Sequence, residues 1–338
     1  MAATSFVASM SFVKKVSICG TVSAALASIT AATSVLASST LNGAGASFPA
    51  PFYQAAFASA AGKGIRVNYQ SVGSGAGVRQ FVAGTVDFGA TDEPIKPAEA
   101  AKVKRGVVQF PAVGGTIAIA YNNPGCKGLK LSQKQAVDVF LGKIKAWEQL
   151  KCGKGKINVV HRSDGSGTTF AFTNSLSAFS PEWKRKVGEG KSVKWPLGVG
   201  GKGNEGVAGI LSNTPGSIGY VNQAYVRGKL KAAALQNKAG RYVLPSVKSG
   251  AAALNNIRLD GNLAGEDPNP AGAESYPIST LTWILAYQSG NGARAAGIRK
   301  AMNHLLGPAQ SRADDLGYVP LRGSVLNAAR KAVGRIGS

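Results

Sequence analysis

The chain is short of acid, histidine and sulfur. Asp and Glu number 16 against 39 Lys and Arg, for a formal charge of +23, and 338 residues hold two His, three Cys and three Met. Two histidines and the cysteines, widely scattered, match no metal-ligand spacing, which argues against a zinc centre. A Ser-His-Asp set would need His161 or His304 as its base, and Gly165-Ser166-Gly167 is not the spacing of a nucleophile elbow. Gly200-Gly201-Lys202-Gly203 is not a Walker loop, because Pro196 replaces its first glycine and Gly203 its Ser/Thr. These gaps weigh against a secreted phosphohydrolase, kept as the enzyme alternative. There is no dense basic helix and no aromatic-basic platform, so nucleic acid is not an expected partner. The dispersed positive charge reads as a solvated surface that concentrates anions. A surface-adhesive protein binding polyanions is a further alternative.

What is present suits a folded protein of α/β class: 44% hydrophobic residues, 16% charged and 44 glycines without a collagen-like period. Length suggests two domains. Lys14 and Lys15 precede an uncharged run, Val16 to Ala37, that closes on Val35-Leu36-Ala37. Residues 1–37 are therefore read as a cleaved signal peptide, the alternative being an uncleaved anchor of sufficient length. Cys19 is not in a lipobox, since Ile18 precedes it and the apolar run follows it. Export implies a periplasmic location. There Cys126 and Cys152 form one disulfide or stay as two separate thiols, and the oxidising compartment favours the bridge.

Strands and helices alternate along the remainder, which predicts layered α/β structure. Helices are expected over about Pro51 to Ala60, Val78 to Ala83, Leu131 to Leu150, Thr169 to Leu176 and Ala293 to Leu306. Strands are expected over Ile65 to Gln70, Val86 to Ala90, Ile157 to Val160, Ser217 to Val221 and Ile278 to Tyr287. Val107 to Tyr121, nearly all apolar, reads as a strand crossing between domains. Gly261 to Pro277 is a loop and a boundary.

Three loops share one design: glycines, a hydroxyl and a helix starting immediately after. They centre on Ser47-Phe48, Ser74-Gly75 and Ser166-Gly167-Thr168. Helix starts carry free N–H groups and a positive dipole end, so they favour anions. Arg162 adds a planar cationic fork suited to phosphate-like oxyanions. Asp92 has the wrong sign for such a site unless the anion carries a proton that the carboxylate can accept as a hydrogen bond. A turn or cap role is the plainer reading of Asp92 from pattern alone.

The motifs Gly43-Ala44-Gly45-Ala46-Ser47-Phe48-Pro49, Val86-Asp87-Phe88-Gly89-Ala90-Thr91-Asp92, Arg162-Ser163-Asp164-Gly165-Ser166-Gly167-Thr168, Gly200-Gly201-Lys202-Gly203-Asn204 and Gly216-Ser217-Ile218-Gly219-Tyr220-Val221 occur in this order. Together they resemble the periplasmic phosphate-binding proteins that feed phosphate ABC transporters. The resemblance implies a two-lobed, type 2 periplasmic binding protein fold with mixed sheets flanked by helices and the ligand in the interlobe cleft. Lobe one would be 41–111 plus 278–338, and lobe two 112–277. It also implies that Ser47, Phe48, Ser74, Asp92, Arg162, Ser166, Gly167 and Thr168 contact inorganic phosphate, with Asp164 orienting Arg162. No cofactor is implied. The partners would be the membrane permease subunits, and the protein would be a monomer. Arsenate, protonated like phosphate, is an alternative ligand.

Overall fold

The computed structural model describes residues 40–255 and 257–338. The expected signal peptide, including Lys14, Lys15, Cys19 and Val35 to Ala37, lies outside the described residues.

The architecture is organised by the strand Val107–Asn122, whose 16 residues are all buried except the half-buried Val107. Such a run, rich in Val, Ala and Ile and interrupted by no charge, suits a strand covered on both faces. Along Val107 to Thr116 it pairs antiparallel with Ser279–Tyr287, and along Ile117 to Asn122 it pairs antiparallel with Ser217–Asn222. Through it, two groups of strands join into one sheet. Its order is Val67–Ser71, Leu41–Gly45, Phe88–Thr91, Ser279–Tyr287, Val107–Asn122, Ser217–Asn222, Asn158–Arg162 and Val199–Gly201, with Lys231–Ala232 also paired to the long strand. Pro111 cannot donate to a ladder. The register shifts at that place, between Thr282 and Trp283 opposite it, as a bulge that accommodates the proline.

The outer strands run parallel: Leu41–Gly45 with Val67–Ser71 and Phe88–Thr91, and Asn158–Arg162 with Val199–Gly201 and Ser217–Asn222. Helices Ala50–Ala61, Ser74–Val82, Gly167–Phe179 and Gly203–Asn213 follow four of these strands. This is the mixed-sheet, helix-flanked architecture that the alternating pattern predicts.

Two expectations need correction. The helix expected over Leu131 to Leu150 is only Gln133–Phe140, followed after a turn by a 3-10 segment, Trp147–Leu150. Its start is as read: Ser132 Oγ accepts from Gln135 N, and Gln135 Oε1 accepts from Ser132 N. Gly142, with φ of 73°, turns the chain out of the helix, so Leu141 and Ile144 pack as turn residues. The second helix begins at Ser74 rather than Val78, so the Ser74-Gly75-Ala76-Gly77 segment is helical. Cys126 and Cys152 form the disulfide, with their Cα atoms 4.7 Å apart.

Candidate functional site

Four of the motifs singled out in the sequence leave a strand at its carboxyl end, while Gly216 to Val221 forms the strand Ser217–Asn222. Leu41–Gly45 delivers Ser47 and Phe48, Phe88–Thr91 delivers Asp92, Asn158–Arg162 delivers the Ser163 to Ser166 loop, and Val199–Gly201 delivers Asn204. In open α/β sheets that edge, with helix starts above it, is where ligands are held.

The structure brings Ser47, Ser74, Asp92 and Thr168 together through hydrogen bonds. Thr168 Oγ1 donates to Asp92 Oδ2 at 3.1 Å, and Ser74 Oγ accepts from Asp92 N at 3.3 Å. Asn204 joins the group: its backbone N–H and its Nδ2 both donate to Ser47 Oγ, at 2.9 and 2.8 Å, and Nδ2 also reaches Thr168 Oγ1 at 3.1 Å. A serine hydroxyl that accepts twice has its own proton left to donate. Ser166 caps the helix Gly167–Phe179, its Oγ accepting from Thr169 N at 3.0 Å. The amides of Gly167 and Thr168 lead that helix, where no carbonyl lies one turn back to receive them.

Arg162 is 4% exposed. Its Nε donates to Asp164 Oδ1 at 2.7 Å and its Nη2 to Asp164 Oδ2 at 2.5 Å, while Tyr220 OH accepts from its backbone N–H. Asp164 also accepts from Gly203 N. Burial opposes ionisation of Asp164, but the Arg162 hydrogen bonds and charge hold its carboxyl below the ordinary range. The fork is thereby fixed in orientation, with Nη1 buried and without a hydrogen-bond partner among the described residues. A buried donor on a permanent cation is costly to leave unmatched, so Nη1 suits an anionic oxygen.

Asp92 is fully enclosed. Burial lifts its carboxyl from 3.8 to about 6, and the Thr282 hydroxyl, the Arg162 charge and the Thr168 hydroxyl offset part of that rise. Thr282 Oγ1 donates to Asp92 Oδ1 at 2.8 Å. The strand Ser279–Tyr287 supplies this contact because Trp283 pairs with Thr91, next to Asp92.

Phe48 lies in the core, edge-on to Tyr318, with its carbonyl accepting from Tyr318 OH at 2.7 Å. Neither histidine enters the site. His161 stacks on Trp195 with ring centroids 4.9 Å apart, and His304 pairs with Ser59 at 2.8 Å. A cavity of about 790 Å³ lies beside Glu93, bounded by Gln109, Asp260 and Glu266 among others, and none of the eight residues named above lines it. The hydroxyl, acid and guanidinium cluster is instead almost closed to solvent: Ser47, Ser74, Asp92, Ser166 and Thr168 are each 0–1% exposed.

Asn204 and Thr282 are functional candidates that sequence reasoning passed over. Asn204 closes a Gly-rich motif that carries part of the resemblance and is not a Walker loop, but neither reading gave the asparagine a role. Thr282 sits mid-strand in an apolar run, and only the pairing register reveals its target.

A family model described as "PBP superfamily domain" matches residues 30–304. The phosphate-binding protein PstS of Pasteurella multocida is 45% identical over 308 residues, covering 85% of this chain and 88% of that protein. Among solved structures, a high affinity periplasmic phosphate-binding protein (PfluDING) bound with phosphate superposes with a TM-score of 0.74 at 22% identity, covering 86% of this chain and 93% of that one. An ABC-type phosphate transport receptor from Vibrio cholerae superposes with a TM-score of 0.55 at 19% identity, over 82% of this chain and 99% of that one. With the matched residues spanning every strand and loop that builds the cluster around Asp92, the chain belongs to the PstS family of phosphate-binding proteins, within the PBP superfamily.

Proposed function

We propose that this protein captures inorganic phosphate outside the cytoplasm and delivers it to the membrane permease of an ABC transporter. The observation that carries the reading is the pairing of opposites in one enclosed cluster. A guanidinium with an unmatched N–H and helix-start amides attract a tetrahedral anion, while Asp92 accepts a hydrogen bond that only a protonated anion can donate. Fully deprotonated sulfate would set its oxygens against the carboxylate oxygens, acceptor against acceptor.

In this reading the phosphate ligands are Ser47, Phe48 through its backbone, Ser74, Asp92, Arg162, Ser166, Gly167 and Thr168, and Asp164 positions Arg162. Residues 41–111 with 278–338 form one lobe and 112–277 the other. The crossings through Val107–Asn122 and near Ile278 act as the hinge. In this reading Ser47–Asn204 and Thr168–Asp92 are contacts between the lobes, of the kind a closed clamp makes. Anion contacts to both lobes favour that closed form, which the permease would select. The mature protein is then periplasmic, released by cleavage after residue 37, and works as a monomer.

Calorimetric titration of the purified mature protein with phosphate, arsenate and sulfate tests the proposal. One saturable phosphate site per chain and no response to sulfate are expected. A sulfate response equal to that of phosphate would remove the role given to Asp92.

A further inference from the structure

Six exposed lysines crowd one corner of the molecule, and the disulfide holds that corner together. Cys126–Cys152 ties the turn bearing Lys127 to the turn bearing Lys151. Lys231 reaches the same place, its Nζ donating to the Cys126 carbonyl at 3.4 Å. Asn123 Nδ2 donates to the Lys154 carbonyl at 3.5 Å, Ala146 bridges Lys156, and Ile157 N donates to the Lys145 carbonyl at 2.8 Å. Against these lysines the stretches 123–131, 145–157 and 229–231 carry one acid, Glu148. None of the six takes part in an ion pair among the described residues, whereas Lys134, Lys143 and Lys186 elsewhere in the fold do.

We infer that this lysine plate is a docking surface for anionic phospholipid headgroups. Three features favour a lipid surface over other polyanions. The charges are lysine ammoniums, point charges without the planar fork that reads phosphates or bases bidentately. No exposed large hydrophobic side chain lies among them, the described ones being Val199, Tyr242 and Leu244, so bases have nothing to stack on. Five of the lysines sit on turns and loops and Lys231 on a two-residue strand, and none of them lines a described cavity, so the plate is a face and not a groove. A cluster of four to eight basic residues at a membrane surface is the size that binds anionic lipid. Docking would hold an exported carrier close to the plane in which a permease is embedded. The inference concerns a different face from the Asp92 cluster, and its test does not depend on phosphate binding.

The test is co-sedimentation of the mature, disulfide-intact protein with vesicles of phosphatidylcholine alone or with about 30% phosphatidylglycerol. Binding is expected only to the anionic vesicles, falling roughly tenfold or more between about 50 and 300 mM salt. The joint variant Lys145→Glu, Lys151→Glu, Lys154→Glu and Lys156→Glu should lose at least about tenfold in vesicle binding while its phosphate titration stays unchanged. The control variant Lys63→Glu, Lys102→Glu, Lys104→Glu and Lys300→Glu makes the same charge change at exposed sites outside the plate and should keep most of the binding. Equal losses in the two variants would overturn the proposal in favour of diffuse basicity. So would equal binding to neutral vesicles, or tighter binding to duplex DNA than to anionic vesicles.

Discussion

Gly167 lies against the backbone of Asp92. A Cβ built on Gly167 would stand 2.6 Å from Asp92 N and 2.7 Å from Asp92 Cβ, so the leading helical turn after the Arg162 loop and the end of the Phe88–Thr91 strand meet with no room for a methyl group. This contact is between backbones, which cannot swing aside as a flexible side chain can.

Gly167→Ala is therefore expected to hold the two segments apart. A misfit of about 1–3 kcal/mol, typical of overpacking, corresponds to roughly ten- to a hundred-fold weaker phosphate binding. Gly209→Ala is the matched control, since nothing lies within 4 Å of a Cβ there and the residue is inside the helix Gly203–Asn213. It should stabilise the fold by about 0.5–1 kcal/mol through helix propensity. Calorimetric titration and urea unfolding of both variants distinguish the cases; unchanged affinity in Gly167→Ala would mean that closure does not need this approach.

Arg162→Ala should weaken phosphate binding roughly a hundredfold or more, as expected for removing one partner of a buried charged contact. It also leaves Asp164 without its forked partner, so unfolding should occur at lower denaturant. Arg162→Lys retains the charge but not the fork, and should fall between the two. Affinities measured at fixed salt check the series, and an Arg162→Ala protein of native affinity would show that Nη1 faces no ligand.

The Asp92 carboxyl has a higher pKa in the folded chain, about 6, than its ordinary 3.8. The folded state thus holds this proton more tightly than the unfolded state. Its contribution to stability is full at pH below 3.8 and is lost as pH rises through about 6. Asp92→Asn removes that dependence. The stability difference between Asp92→Asn and the parent should change by on the order of 3 kcal/mol across this window, in favour of the variant at higher pH. Unfolding curves without phosphate at pH 4, 5, 6 and 7 read it, and a constant difference would place the titration elsewhere. With an amide at position 92, sulfate should also begin to compete with phosphate.

Breaking Cys126–Cys152 should cost about 3 kcal/mol by loop-closure entropy, with phosphate affinity unchanged because the bridge lies outside the Asp92 cluster. Parallel thermal melts with and without reductant measure the first part, and titration of the reduced protein the second. A loss of affinity on reduction would couple the two regions.

The pattern of strands, helix starts and loops was legible because it rests on local rules. Ser132 with Gln135 marks a helix start, and Ser166 before an apolar run marks another. The guanidinium–carboxylate pair of Arg162 and Asp164 was supplied by the resemblance rather than by the pattern of the residues. What the sequence hid was long-range or one turn too fine. Helical spacing ran on past Phe140 through Leu141 and Ile144, and only the positive φ of Gly142 ends it. Asn204 meets Ser47 from 157 residues away, and Thr282 meets Asp92 from 190. Neither partner can be seen until the sheet order and the bulge opposite Pro111 are known. Resemblance supplied the role of Asp92, for which pattern alone preferred a turn.

The strand Val107–Asn122 has a consequence for engineering. Ser279–Tyr287, from near the end of the chain, sits between it and Phe88–Thr91. A product truncated before residue 278 would thus leave the first ten residues of the long strand, and all of Phe88–Thr91, with bare edges. The half of the sheet that holds Phe88–Thr91 corresponds to no uninterrupted stretch of gene, because its strand Ser279–Tyr287 comes from near the end of the chain. Splitting this protein before residue 278 should therefore yield insoluble pieces when each is expressed by itself. A circular permutant that places 278–338 ahead of residue 41 should fold, since it makes the strands of that half contiguous.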